Sequence, residues 1–326
     1  MGLQHRLNYY RRIFPAYLTS RRSHLTFWHN TPELNARVSP GDLGEYYMLF
    51  SQKADYVGPY DSAGIPLLDY QGATGRQYNP IAIAQYGLGN FNLFRKTQNT
   101  ERKRNFLRVA DWLVTNLEKN IAGLWVWNHH FDWEYRTKLQ APWYSGLAQS
   151  QGISVLVRAY RESGRDVYLD SAERAFQTFL KTTDEGGVTH IDDDGSIWFE
   201  EYVVHPPTHI LNGFIWASWG VYDYGLATAD LEAKRLFSAS VETLKQHLAR
   251  YDVGFWSLYE QSGTRLKMLA SPFYHSLHIT QLRVLHNLTR EHIFARYADK
   301  WESYCSSFVK RNRALMHKSI FKLLYY

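Results

Sequence analysis

The chain has 326 residues, 45% hydrophobic and 21% charged, which allows one large or two small domains and excludes a disordered or fibrous protein. Thirty-seven Lys and Arg against 31 Asp and Glu leave a formal charge of +6, which favours an anionic partner, but the bases are dispersed and no nucleic-acid recognition motif is present. The 11 Trp, 24 Tyr and 17 Phe exceed what a core needs, because every buried hydroxyl or indole NH requires a partner, so a half-wet aromatic groove is expected.

The first stretch, MGLQHRLNYYRRIFPAYLTSRRSH, is basic and aromatic without the apolar run of a secretory signal. No segment approaches the ~18 consecutive apolar residues of a spanning helix. A soluble, cytoplasmic protein is expected, with peripheral membrane contact through this N-terminus and homo-oligomerisation both left open. Cys305 stands alone and cannot close an internal disulfide. Pro15, Pro32, Pro40, Pro59 and Pro66, with no sustained periodicity, predict an irregular arm over residues 1–78.

From residue 79 the pattern changes. Four segments are nearly free of charge, Ile81–Phe94, Tyr144–Tyr160, Thr208–Tyr224 and His275–Leu288. A helix without a charged face is a buried one. Each is followed by a charged segment with one apolar stripe: Thr100–Lys119, Asp166–Lys181, the stripe Phe237, Val241, Leu244, Leu248, and His292–Val309. Inner and outer helices alternating about every 65 residues predict an all-α fold, an (α/α) barrel or toroid of about four helical hairpins spanning residues 79–312. Residues 313–326 read as a C-terminal tail.

The connections from each outer helix to the next inner one, near 120–143, 183–207 and 250–274, are too long for plain turns and too aromatic for disorder. In an alternating array they emerge at one end, which makes one decorated mouth. IDDDGSIWF (191–199) reads as a small β-hairpin in the second loop. The loops carry Trp127, Trp143, Tyr144, Arg265 and Lys267, and the arm adds Tyr78, a composition suited to a sugar cleft. His129 and His130 are adjacent on a loop, diverge, and have no acidic or Cys partner at ligand spacing, so no metal is expected. No Gly-rich phosphate loop is present and no cofactor is expected. Gln85 is either a buried strut or faces the bore, and His275 and His278 are either core polar groups or site residues.

WYSGLAQSQGISVLVRAY (143–160) resembles the D-glucuronyl C5-epimerase family, and the likeness continues in PIAIAQYGL (80–88), ADWLVTNLE (110–118), EEY (200–202), LNGFIW (211–216), YDVGFWSLY (251–259) and YHSLHITQL (274–282). The resemblance covers about two thirds of the chain and implies a helical-hairpin barrel that inverts C5 of D-glucuronate to L-iduronate within an acidic glycan such as heparosan. A β-sandwich that separates the IAQYGL and DWLV segments in the animal enzymes has no counterpart here. By residue-to-residue match the resemblance implies catalytic roles for Glu201, Tyr202, Tyr259 and Tyr274. The substrate-binding candidates are Tyr78, Gln85, Trp127, Trp143 and Tyr144. Asn212, Arg265, Lys267, His275 and His278 complete them. Two positions depart from the family pattern: Phe91 stands for a tyrosine and Ser262 for an arginine. The competing readings are a lyase or hydrolase on the same barrel, which would cleave the glycan, and a non-catalytic acidic-glycan-binding protein.

Overall fold

The computed structural model describes residues 27–133 and 138–325. The basic N-terminal stretch, for which membrane contact was left open above, lies outside them. In the arm, residues 27–79 hold the helical residues 27–28, α1 (Ser51–Ala54), the hairpin β1 (Leu68–Asp69) with β2 (Arg76–Gln77), and isolated bridges.

The four charge-poor segments are the inner helices: α2 (Pro80–Thr97), α4 (Gly146–Ser163), α6 (Leu211–Thr228) and α8 (Pro272–Thr289). Each is followed by an outer helix: α3 (Thr100–Thr115), α5 (Asp166–Phe176), α7 (Leu231–His247) and α9 (His292–Ser306). Three inner helices start on a capping side chain: Asn79 accepts from the Ile81 and Ala82 amides, Ser145 from Ala148 and Ser271 from Tyr274. Each inner helix ends on a left-handed residue, Gln98, Gly164, Ala229 or Arg290, which reverses the chain into its outer partner. The hairpins pack in chain order, α4 between α2 and α6 and α8 against α6, so the inner helices run parallel and place their N-termini at one end.

Several expected boundaries move. The outer segment Thr100–Lys119 stops at Thr115, where the Asn116 side chain donates back to the Trp112 carbonyl at 2.8 Å, and Glu118–Lys119 instead form β3, paired with β4 (Trp125–Val126). The second outer helix tightens into a 3₁₀ turn over Gln177–Leu180. The fourth ends at an extended Ser307, whose carbonyl and hydroxyl receive the first amides of a new helix, α10 (Phe308–Tyr325). The expected boundary at 312/313 therefore falls inside one helix. The predicted hairpin is β5 (Thr189–Ile191) with β6 (Ile197–Phe199), turned by Gly195 at φ 82°.

The arm is tied to the barrel at the end opposite the mouth. The Asn92 side chain accepts from the Tyr46 amide at 2.7 Å and donates to the Met48 carbonyl at 2.8 Å. Arg158 of α4 and Asp223 of α6 form a buried bidentate pair at 2.6 and 3.0 Å. Tyr47 donates to Asp223 at 2.5 Å and Arg158 donates to the Gly44 carbonyl at 3.0 Å, so one charge pair joins two inner helices to the arm.

Candidate active site

A cavity of about 260 Å³ opens where the inner helices begin. Ile81 and Gln85 of α2, Leu147 of α4, Asn212 and Trp216 of α6, and Tyr274 and Leu277 of α8 line it from the first turns. Helix N-termini carry partial positive charge, so the convergence favours an anion. The long loops supply Trp133, Trp143, Glu201, Tyr202 and Tyr259, the arm Trp28 and Lys53, and α10 contributes Lys318, Phe321 and Lys322.

Glu200 and Glu201 follow β6 and face opposite ways, as consecutive residues of an extended chain must. Glu200 is a strut: it accepts from His209 Nδ1 at 2.6 Å and from the Thr208 and His209 amides. Glu201 faces the cavity and is the one carboxylate among its lining residues. Asn212 Nδ2 donates to it at 3.3 Å and Tyr202 hydrogen-bonds it as well. Burial pushes the Glu201 carboxyl up to about 8, against those two hydrogen bonds and with a smaller push from Glu200 and Glu260. Gly213 makes room for it, since a β-carbon there would lie 2.3 Å from Glu201 Oε2.

Tyr259 is held by its backbone, its amide donating to Met268 O at 2.8 Å and its carbonyl accepting from the Leu211 amide at 3.0 Å. Tyr274 stands in the first turn of α8, and its ring meets that of Tyr259 edge-on at 4.9 Å. Trp143 is fixed by its indole NH, which donates to Phe131 O at 2.8 Å, and it stacks on His129 at 3.8 Å. His129 is buried, and burial holds its imidazole down at about 3, which makes it a neutral support. Among the described residues no group of His, Cys, Asp and Glu is arranged to hold a metal ion.

Of the other expected binding residues, Gln85, Trp143 and Asn212 line the cavity, whereas Tyr78, Trp127, Tyr144, Arg265, Lys267, His275 and His278 are not among its lining residues. Tyr78 is exposed, donates to Asp61 at 2.7 Å and lies on Trp112. Trp127 is buried with its NH on Leu113 O, and its ring fills the space left by Gly152, where a β-carbon would come within 2.3 Å. Tyr144 donates to Gly186 O at 2.7 Å. His275 stacks on Trp256 at 3.8 Å, accepts from the Ser257 amide through Nδ1, and its Nε2 contacts Trp301 O at 3.0 Å. His278 Nδ1 meets the Ser257 hydroxyl at 3.0 Å. Burial lowers both imidazoles, His275 to about 4, so neither supplies a cation. Arg265 and Lys267 are exposed.

The cations at the mouth come from residues that sequence reading missed. Lys53 donates to Phe27 O at 2.7 Å, and burial pushes its ammonium down to about 7. Lys318 donates to Leu269 O at 2.8 Å and is pushed down to about 7, by burial first and Lys322 second. The i,i+4 spacing of Lys318 and Lys322, which sets both on one helix face, was the available signal.

The sequence profile described as D-glucuronyl C5-epimerase C-terminus matches residues 119–303, more than half of the chain. The chain belongs to the D-glucuronyl C5-epimerase family. It is 34% identical over 227 residues to a D-glucuronyl C5-epimerase of Caenorhabditis elegans, covering 64% of this chain and 36% of that one. An uncharacterised protein of Methanocaldococcus jannaschii is 32% identical over 187 residues, 56% of this chain and 59% of that one. The chain thus spans between about a third and three fifths of these relatives' lengths. Among solved structures, cellobiose 2-epimerases of Bacillus thermoamylovorans and Spirochaeta thermophila align over 92% of this chain and 87% and 84% of theirs, with TM-scores of 0.57 and 0.53 at 11% and 10% identity. That likeness shows the barrel fold alone. The four residues carried over from the D-glucuronyl C5-epimerase pattern, Glu201, Tyr202, Tyr259 and Tyr274, all line the cavity. Phe91, where the pattern has a tyrosine, packs on Phe106 of α3 at 4.6 Å and is not a lining residue.

Proposed function

We propose that the protein inverts C5 of D-glucuronate to L-iduronate in a glucuronate-containing glycan, by proton abstraction on one face of the sugar ring and proton return on the other. The observation that carries the reading is Glu201, a carboxyl raised to about 8 and set in one cavity with the Tyr259–Tyr274 pair. A general base works best with a pKa near the operating pH, and burial brings this carboxyl there.

The hydrogen at C5 is α to a carboxylate, and removing it adds a second negative charge to the substrate. The site must offset that charge with cations or hydrogen-bond donors. Lys53, Lys318 and the converging helix N-termini supply this. In this scheme Glu201, hydrogen-bonded to Tyr202, takes or returns the proton on one face, and the Tyr259–Tyr274 pair serves the other with a phenolic proton. No redox group takes part, because the same proton count enters and leaves. A heparosan-type polymer is the substrate that the family points to, in polysaccharide biosynthesis, and a soluble cytoplasmic location fits it.

Incubation with glucuronate-containing oligosaccharides in heavy water tests this. Deuterium at C5 with unchanged chain length supports the epimerase. Unsaturated uronate absorbing in the ultraviolet would mark a lyase, new reducing ends a hydrolase, and binding without any of these a non-catalytic glycan receptor.

A further inference from the structure

Helix α10 has two unlike faces. Ala314 and Phe321 are buried toward the body of the protein. The opposite face carries Phe308, Val309, Leu315, Met316, Ile320 and Leu323, each between 44% and 73% exposed. Their spacing lines Val309, Met316, Ile320 and Leu323 along one stripe. Among the described residues, seven of the fifteen exposed large hydrophobic side chains lie on this one helix, so the patch is not ordinary scatter.

The charge of the same segment has one sign. From residue 303 to 326 the sequence contains no Asp or Glu, while Lys310, Arg311, Arg313, Lys318 and Lys322 are basic. At about 100° per residue, the exposed Arg311 borders the apolar face beside Leu315 and Phe308, and the exposed Arg313 borders it beside Ile320 and Leu324. No described helix is long and apolar enough to cross a membrane. An apolar stripe between two basic borders is instead the pattern of a helix that lies in the plane of a membrane interface.

We propose that α10 docks the protein on an anionic lipid bilayer, its apolar stripe entering the headgroup region and its bordering bases meeting the lipid anions. Charge decides against the other occupants. A second copy packed face to face would set this basic helix against itself, and residues 1–26 of the chain carry five arginines and no acid. Lys318, Phe321 and Lys322 of the same helix wall the cavity, so docking sets its mouth beside the bilayer, within reach of a glycan held at the membrane. That consequence rests on the epimerase reading above, whereas the docking itself does not.

The experiment sediments the full-length protein with vesicles of phosphatidylcholine alone and of phosphatidylcholine mixed with phosphatidylglycerol. Partition onto the anionic vesicles is expected to exceed that onto neutral ones by about tenfold or more, and to fall as salt is raised. The double variant Met316→Glu with Leu323→Glu, at two exposed positions, is expected to remove the binding with unchanged circular dichroism and melting temperature. Arg311→Glu with Arg313→Glu is expected to reduce binding to the level of neutral vesicles. Absence of vesicle binding, equal binding to both compositions, or binding that the Met316→Glu/Leu323→Glu variant retains overturns the proposal. So does a dimer that this variant disperses in place of vesicle binding. Heavy-water exchange on a soluble oligosaccharide, run on the same samples, separates the two readings: lost docking with intact exchange counts against α10 alone, and lost exchange with intact docking counts against the epimerase alone.

Discussion

The carboxylate of Glu201 lies against Gly213 on the first turn of α6, so closely that a β-carbon at 213 would stand 2.3 Å from Oε2 and 2.6 Å from the Glu201 β-carbon. The glycine is a seat for the carboxylate. Gly213→Ala is expected to push Glu201 out of line and to lower C5 exchange by about tenfold or more, at an overpacking cost of about 1–3 kcal/mol. Thermal melting and exchange rate measured together check this, and full exchange in the variant would contradict the seat.

Glu201 also gives a pH signature. In the folded protein its carboxyl is protonated below about 8. A free glutamate ionises near ~4.3, so between those values the unfolded chain gives up a proton that the folded chain keeps. The group's contribution to stability is therefore fully present below about pH 4 and is lost as pH rises toward 8. Glu201→Gln, which cannot ionise, is expected to melt above wild type at pH 8 and level with it at pH 4. The same substitution is expected to abolish exchange, whereas the wild-type kcat rises with pH through about 8 as the base form fills. Melting curves and exchange rates across that range read both effects.

The hairpin array was legible because burial is written as missing charge. LNGFIWASWGVYDYGL has one acid, Asp223, and that one is paired with Arg158. Glu201 and Tyr202 of the EEY motif and the two distant tyrosines came from family resemblance, and all four line the cavity. The binding candidates Lys267, His275 and His278 fall outside the cavity lining for a local reason. Met268 lines the cavity, and in an extended segment the side chain before it points the other way, which turns Lys267 to solvent. On α8, Tyr274 and Leu277 line the cavity, while the next residue after each, His275 and His278, is rotated about 100° toward Ser257 and Trp301. Lys53 and Lys318 come from distant parts of the chain to line the same cavity, and no sequence period connects them.

The tyrosine pair is testable one hydroxyl at a time. Tyr259→Phe and Tyr274→Phe each keep the ring and its edge-on packing and remove only the proton carrier. Each is expected to lower C5 exchange by about 10²–10⁴-fold, with little change in melting temperature. If both variants kept wild-type exchange, the phenols would be packing groups and the proton on that face would come from elsewhere.

The lysines predict an opposite pH trend in substrate binding. The ammonium groups of Lys53 and Lys318 are held near 7 by burial, so both lose charge as pH rises above that value. KM for an acidic glycan is expected to rise above about pH 7 while kcat is still climbing, which leaves kcat/KM with a maximum between the two. Lys318→Met is expected to lower kcat/KM by about tenfold or more, the scale of one charged hydrogen bond, through a higher KM and a lower kcat together, and to flatten the pH dependence of KM. Initial rates at several pH values on an oligosaccharide of defined length give both constants.

The far end of the barrel predicts stability effects without catalytic ones. Asp223 is fully buried, accepts two guanidinium hydrogen bonds from Arg158 and one from Tyr47, and none of these three residues lines the cavity. Removing one partner of a buried pair leaves the other charge unpaired. Asp223→Ala is therefore expected to cost about 3–5 kcal/mol, far more than the surface pair of Arg235 with Glu232, where Glu232→Ala is expected to cost under about 1 kcal/mol. Because Arg158 also holds the Gly44 carbonyl, the loss should loosen the arm first, and hydrogen exchange of residues 44–48 should rise ahead of that in α4 and α6. Urea unfolding of both variants checks the contrast, and a KM unchanged in the fraction that remains folded would place the effect in the scaffold and not in the site.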